Sequence, residues 1–165
     1  MQTANRITIF GNPAELSTRV YQLAADIQNW PTILPHYRYM RILELSERSK
    51  LADFGARRGP IPVYWQARQE LFPETRRITF EHVRGVTTGM QVEWRIEQRE
   101  GGVLVTIHHA LSYPVPVFGP LFAKYIVGGL FVRPIAGKTL KCFKQLLEAD
   151  QPERIKQQPL VHRLS

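Results

Sequence analysis

Between Ile61 and Tyr113 the chain alternates hydrophobic and polar residues in consecutive short segments. Successive side chains of a β-strand point to opposite faces of its sheet, so such segments are predicted to be strands with one buried face. The clearest segment places Met90, Val92, Trp94 and Ile96 on one face and Gln91, Glu93, Arg95 and Glu97 on the other. The same alternation adds to the buried face Trp65, Gln69, His82 and His109. A buried face with tryptophan, histidine and glutamine, rather than aliphatic residues alone, indicates an interior that binds a ligand.

The full pattern predicts a short strand, helical segments, six more strands and a long final helix. The first strand covers Arg6 to Phe10, and Asn12 is placed to cap a helix whose first turn contains Pro13. A second helical turn is expected around residues 26–33. The other strands are expected at 38–46, 51–57, 63–72, 77–84, 88–100 and 103–113, and the helix at 117–148. The pair Gly101 and Gly102 predicts a hairpin turn between the last two strands.

Length and composition are those of one globular domain. The chain has 165 residues, of which 44% are apolar and 22% charged, as in ordinary proteins that fold around one core. Residues 1–150 are expected to form this domain and residues 151–165 a flexible C-terminal tail. The lone Cys142 excludes an internal disulfide, and the start of the chain lacks a signal-peptide pattern. A cytoplasmic location is therefore expected, and no apolar run is long enough to span a bilayer.

The net charge of +8 is typical of proteins that bind nucleic acids or anionic membranes. The arginines, however, are scattered over outward strand positions and turns and form no long basic run. This placement favours a solvated basic surface, and no nucleic-acid partner is predicted. A transient contact with an anionic membrane stays an alternative, since apolar residues precede the last helix at Val115, Val117, Phe118, Leu121 and Phe122.

The order of elements predicts an α+β fold, in which a curved antiparallel sheet of about seven strands wraps around the long C-terminal helix. Two short helices follow the first strand, and sheet and helix enclose a cavity. Several segments carry a resemblance to a known family: Ile7–Ile9, Pro13–Glu15, Val20-Tyr21, Trp30-Pro31, Leu34–Tyr37, Trp65, Gly89-Met90, Trp94, His109 and Thr139–Glu148. On these residues the chain resembles the START-like helix-grip (SRPBCC) superfamily, and within it the polyketide cyclase/dehydrase family that includes aromatase/cyclases.

The resemblance implies an interior cavity for hydrophobic molecules, which in the cyclases folds a polyketide chain for aldol closure and dehydration. It places at aromatic pocket positions Trp30, Tyr37, Trp65 and Trp94. Where the aromatase/cyclases resemble Trp-x-Ser-x-Arg, this chain has Trp65-Gln66-Ala67-Arg68-Gln69. Ala67 and Gln69 therefore replace the inward serine and arginine, and Arg68 is expected to face solvent.

Alternation and resemblance together give the candidate site. The expected ligand contacts are Trp30, Trp65, Gln69, His82, Met90, Trp94 and Tyr113. The candidate catalytic residues are His109 and Tyr37, because a neutral imidazole can act as a general acid or base near neutral pH and a tyrosine hydroxyl can donate a hydrogen bond. For each of these residues, packing in an ordinary core is the alternative interpretation.

No metal or cofactor is predicted. The five histidines have neither zinc-finger nor zincin spacing, and Cys142 has no partner. The segment Gly137-Lys138-Thr139 resembles the end of a phosphate-binding loop, but Val132 occupies the position of the required first glycine. Hydrolase and dinucleotide-binding glycine motifs do not occur in the sequence.

Three functions remain open. The favoured one is binding of a hydrophobic small molecule, such as a polyketide, an isoprenoid or a lipid, because Gln69 replaces an arginine and no inward carboxylate is expected. The second is a polyketide cyclase/dehydrase, in which His109 or Tyr37 moves protons while the cavity orients the chain. The third is a lipid or quinone carrier that works at a membrane surface.

Overall fold

The computed structural model describes residues 2–85, 87–111, 129 and 132–150. Seven strands form one antiparallel sheet in the spatial order β1-β7-β6-β5-β4-β3-β2. The strands are β1 (Gln2–Phe10), β2 (Tyr37–Leu45), β3 (Ser49–Arg58), β4 (Ile61–Phe72), β5 (Arg77–Gly85), β6 (Met90–Arg99) and β7 (Gly102–Leu111). The helices are α1 (Pro13–Ala25), α2 (Trp30–Ile33) and α3 (Arg133–Ala149), with a 3₁₀ turn at Ile27–Asn29. This is the predicted α+β helix-grip architecture.

Helix α1 begins where the sequence predicts. The Asn12 side chain accepts a hydrogen bond from the backbone N–H of Glu15, at 3.1 Å, and Pro13 occupies the first turn. The helix buries Leu16, Val20 and Ala24, which recur at helical spacing. It therefore covers one part of the sheet and leaves the rest to α3.

The two faces of the sheet follow the predicted alternation. On β6 the four inward side chains are all buried: Met90, Val92, Trp94 and Ile96. At the hairpin between β6 and β7, Gly101 has φ +73°, a left-handed conformation that glycine adopts without steric cost. A register shift between Gln66 and Ala67 bends β4 against β5, which adds to the curvature of the sheet.

Helix α3 packs along β1 and closes the concave side of the sheet. Its buried face consists of Ala136, Thr139, Leu140, Phe143 and Leu147. The side chain of Asn5 donates to the Arg133 carbonyl at 3.2 Å, and Lys144 Nζ donates to the Thr8 carbonyl at 2.6 Å. These bonds fix the helix to the edge strand. No helix among the described residues is both long and apolar enough to cross a membrane.

Three expectations fall on residues outside the described ranges. They are the contact by Tyr113, the apolar segment from Val115 to Phe122, and the tail at 151–165. The predicted helix at 117–148 is described over its C-terminal part, where α3 lies.

Candidate ligand cavity

A cavity lies between the concave face of the sheet and α3. Its walls come from α2, from the strands β2 to β7 and from α3, and among the described lining residues six are aromatic: Trp30, Tyr37, Phe54, Trp65, Phe80 and Trp94. None of the described lining residues is Asp, Glu, Lys or Arg. The cavity leaves about 70 Å³ for the centres of water-sized molecules, whereas one water needs roughly 10–15 Å³ of this measure. The interior is therefore not fully packed.

One wall of the cavity is a continuous stack of three rings. Phe54 lies parallel to Trp65 at a centroid distance of 5.2 Å and an interplanar angle of 10°. Trp65 in turn lies parallel to the His82 imidazole at 5.7 Å and 2°. These residues face one another because β3, β4 and β5 are adjacent strands and each ring points inward. The three parallel rings make this wall continuously aromatic.

Trp30 forms the floor between this wall and α3. Its indole N–H donates to the Leu23 carbonyl at 3.0 Å, so the polar atom of the ring is satisfied within the protein. The ring itself is 3% exposed and contacts four other aromatic rings, namely Tyr37, Phe54, Phe80 and Trp94. Trp30 thus lines the cavity and also holds the aromatic cluster together.

The His82 side chain is hydrogen-bonded to the loop between β5 and β6. Its Nδ1 lies 2.6 Å from the Thr87 hydroxyl, and both side chains line the cavity. Burial lowers the pKa of His82 to about 3, and the neighbouring His109 acts in the same direction. The imidazole is therefore neutral at pH 7. Thr87 gave no signal in the sequence, because its role depends on a loop conformation that places it beside His82.

His109 lies on the neighbouring part of the wall, on β7, and is 6% exposed. Burial, and then the nearby His108, lower the pKa of His109 to about 4. Its Nδ1 is buried and has no hydrogen-bond partner among the described residues. An unsatisfied buried polar atom in a native protein requires an explanation, and a bound molecule is one. With its pKa lowered to about 4, the His109 imidazole is neutral at pH 7, and its role as a general acid or base stays a prediction.

A second cluster of polar side chains at the cavity surrounds Thr139 of α3. The Thr139 hydroxyl donates to the Ile135 carbonyl at 2.9 Å and lies 2.8 Å from His36 Nε2. Because this hydroxyl has a single hydrogen, the hydrogen-bond pattern assigns the imidazole proton of His36 to Nε2. The Tyr37 hydroxyl is also bonded to Thr139, which opposes the rise in pKa that burial imposes on Tyr37. Sequence reasoning gave no role to His36 or Thr139, since only the fold brings the residue before β2 and a residue of α3 together.

The structure brings most of the predicted site residues to the cavity. Those that line it are Trp30, Tyr37, Trp65, His82, Met90, Trp94 and His109. Gln69 points inward as predicted but lies under α1, where its Nε2 is 3.4 Å from the Ala24 carbonyl and 3.3 Å from the Ala25 carbonyl. Gln69 therefore binds the end of α1 and is not among the described lining residues of the cavity. Alternation predicts to which face of the sheet a side chain points, but not which helix or cavity covers that part of the strand.

Residues 13–130 match the family model described as polyketide cyclase / dehydrase and lipid transport. The chain belongs to this family. The predicted resemblance is thereby confirmed at the level of the family.

Several solved structures share the fold with low sequence identity. A protein from Thermus thermophilus has a TM-score of 0.73 and 20% identity, over 91% of this chain and 99% of that one. The Zhui aromatase/cyclase from a Streptomyces species has a TM-score of 0.71 and 18% identity, over 95% and 98%. A START superfamily protein from Mycobacterium smegmatis has a TM-score of 0.61 and 14% identity, over 90% and 95%. No curated protein matches the chain.

The cavity of this family member carries no cation at the position where the aromatase/cyclase pattern has its inward arginine. Ala67 is fully buried and Gln69 is used to bind α1. Arg68 points to the other face of β4 and forms an ion pair with Glu44 at 3.2 Å. Within the described residues there is also no group of three or more His, Cys, Asp or Glu side chains that could hold a metal ion.

Proposed function

We propose that the chain binds an uncharged, largely aromatic small molecule in the cavity between the sheet and α3. The observation that supports this proposal is the composition of the cavity lining, which has six aromatic side chains and no ionised group among the described residues. The two histidines of the lining are neutral at pH 7, because burial lowers the pKa of His82 to about 3 and that of His109 to about 4. Transfer of an unpaired charge into such an environment is strongly unfavourable, so a neutral ligand is favoured.

The polar groups of the lining suggest how a ligand is oriented. His109 Nδ1 has no partner among the described residues, and the Tyr37 hydroxyl is bonded to Thr139, which also lines the cavity. A hydroxyl or carbonyl of the ligand can satisfy His109, and relief of an unsatisfied buried atom contributes roughly 1–3 kcal/mol. The parallel rings of Phe54, Trp65 and His82 offer aromatic contacts to a ring system in the ligand.

The size of the cavity limits the ligand further. Its 70 Å³ is small beside the ~300–1,000 Å³ of typical small-molecule pockets. A compact molecule fits without rearrangement, whereas a polyketide or isoprenoid chain requires side chains or α3 to move. Chain-length dependence of binding therefore distinguishes the two kinds of ligand.

We expect a larger residue at position 136 to block binding. Ala136 of α3 lines the cavity and is 7% exposed, so the side chain in Ala136→Leu enters the space that the ligand needs. Fluorescence titration with an environment-sensitive apolar dye should show an affinity at least tenfold lower than that of the wild type. Extraction and mass spectrometry of the purified wild-type protein would identify any apolar ligand that remains bound.

Ala149→Leu is the matched control for this substitution. Ala149 lies on the same helix and is exposed, so the same chemical change should leave dye binding unaltered. Thermal unfolding of both variants shows whether the added side chain disturbs the fold, since overpacking costs about 1–3 kcal/mol. Equal dye affinities of the two variants would exclude the cavity as the binding site.

A cyclase/dehydrase is the second candidate function, favoured by the unpartnered Nδ1 of His109. A neutral imidazole in an apolar cavity can accept a proton from a bound poly-β-keto chain, while the walls hold the reacting atoms together. Because its pKa is lowered to about 4, His109 is present as a base, not as an acid, across the neutral range. Any activity should therefore be independent of His109 titration between about pH 5.5 and 8.

For this candidate we expect His109→Ala to lower the rate of ring closure about 10²-fold, a typical contribution of one general base. His108→Ala is the control, because His108 is the next residue on β7 and points to the other face of the sheet. Product analysis with a poly-β-keto substrate measures both variants. If the wild-type protein retains an apolar ligand but accelerates no ring closure, the enzymatic function is excluded and the binding function stands.

A further inference from the structure

Charge is distributed unevenly along the sheet. In the sequence, no Asp or Glu occurs within 54–69, 82–92 or 101–147. The strand register brings the first two of these segments together at one end of the sheet, where the β3–β4 and β5–β6 connections lie. Thr87 of the β5–β6 connection and Val63 of β4 line the cavity, so this is also the end nearest the cavity. The acidic residues of the described strands lie farther along the sheet.

A cluster at this end combines arginines with exposed apolar groups, and we call it the basic rim. It consists of Tyr39, Arg57, Arg58, Ile61, Tyr64 and Arg84. Arg58 pairs with Ile61 across the β3–β4 hairpin, and Gly55 lies between Tyr39 and Tyr64 in adjacent strands. Arg84 pairs with Gln66, two residues from Tyr64 on the same face of β4. Tyr39, Arg57, Tyr64 and Arg84 thus share the outer face of the sheet, and Arg58 and Ile61 follow at the end of the β3–β4 hairpin with the opposite alternation.

The arginines of the basic rim have no acidic partner among the described residues. Several arginines elsewhere form ion pairs, such as Arg48 with Glu74 at 2.8 Å and Arg99 with Glu97 at 3.0 Å. No ion pair within the described part of the chain includes Arg57, Arg58 or Arg84. Within the described residues, no ion pair therefore compensates the positive charge of these three arginines.

The apolar residues of the rim are exposed and partly fixed in position. Tyr39, Ile61 and Tyr64 are 43%, 46% and 52% exposed. The two tyrosine rings stack at 6.2 Å and 25°, and the Tyr39 ring lies directly over Gly55, where a Cβ atom would be only 2.3 Å from the ring. Glycine at position 55 thus permits the rings to lie flat on the outer face of the sheet.

We propose that the basic rim docks the protein on the surface of an anionic lipid bilayer. Arginines attract the negative headgroups, and tyrosine rings are favoured at the level of those headgroups because one edge is apolar and the other polar. Ile61, at the tip of a hairpin between Arg58 and Tyr64, is placed to enter the boundary of the acyl chains. A nucleic acid would satisfy the arginines but offers no comparable environment for an exposed isoleucine. The bilayer accounts for the whole cluster.

Co-sedimentation with vesicles tests this surface without any cavity ligand, so its outcome is separate from that of the proposed function. The vesicles are phosphatidylcholine alone, and phosphatidylcholine mixed with phosphatidylglycerol. Wild-type protein should sediment with the mixed vesicles and not with the neutral ones. The double variant Arg57→Glu/Arg58→Glu should lose at least tenfold in apparent affinity. Ile61→Ser should lose severalfold, a loss that electrostatic attraction alone would not produce.

The control is Arg48→Glu/Arg99→Glu, which changes the net charge equally but at residues remote from the rim. It should retain most of the vesicle binding, and all variants should keep the dye affinity of the wild type. Equal losses in the two double variants would overturn the proposal in favour of a diffuse effect of net charge. Absence of vesicle binding by the wild type would also overturn it, and heparin binding unaffected by Ile61→Ser would then indicate an acidic macromolecule as the partner.

Discussion

Trp30→Ala should lower the free energy of unfolding by roughly 3–5 kcal/mol, the range for large aromatic residues removed from cores. Trp30 is 3% exposed, and its ring lies between 5.1 and 6.3 Å from four aromatic rings. The substitution also leaves the Leu23 carbonyl without its indole donor. Equilibrium unfolding in urea, followed by far-UV circular dichroism, measures the change.

Two further variants separate packing from other effects. Trp30→Phe should retain part of the stability, since a ring still fills the floor of the cavity but the hydrogen bond to Leu23 is lost. Tyr64→Ala removes a ring that is 52% exposed and should change the free energy of unfolding by less than about 1 kcal/mol. A cost for Trp30→Ala as small as that for Tyr64→Ala would show that Trp30 is not central to the core.

Acid should destabilise the protein well before its carboxylates are protonated. The pKa of His82 is lowered to about 3 and that of His109 to about 4, chiefly by burial, while histidines of an unfolded chain titrate near 6.5. Below pH 6.5 the unfolded chain therefore binds protons that the folded chain does not, and the free energy of unfolding falls as pH falls. The stabilisation is complete above about pH 6.5 and is lost progressively toward pH 4.

One histidine with a pKa of about 4 accounts for a loss of about 3 kcal/mol at pH 4. Urea unfolding at several pH values between 7 and 4 would show the midpoint shifting steadily to lower urea. His109→Phe should make this pH dependence less steep by the contribution of one histidine, because phenylalanine has no proton to bind in either state, whereas His36 and His82 still titrate. His108→Phe, on the outer face of the same strand, should leave it steep. Identical pH profiles of the two variants would contradict the assignment to the buried imidazole.

The fold was largely predictable because alternation is a strong signal in this chain. Each predicted strand corresponds to an observed one, and Asn12 and Gly101 mark the start of α1 and a hairpin as expected. The differences lie at the ends of elements, such as β1, which begins at Gln2 instead of Arg6. Terminal residues of an edge strand gain their order from pairing with β7, which local sequence does not encode.

The sequence predicted on which face of the sheet the site residues lie, but not which hydrogen bonds they form. Alternation placed His82 and His109 inward, and the structure puts both on the cavity wall. It could not show that Gln69 lies beneath α1, because this depends on where along β4 the helix crosses. Nor could it find Thr87 or Thr139, whose partners are set by a loop and by helix docking.

The three tryptophans of the chain, Trp30, Trp65 and Trp94, all line the cavity. Tryptophan emission from this protein therefore arises entirely at the cavity wall, with no background from the outer surface. A ligand that absorbs in the near ultraviolet would accept energy from all three indoles at once, and Trp65, stacked on His82, would report changes of that imidazole. Entry of a compound into the cavity can therefore be followed by the tryptophan emission of the native protein, without a label.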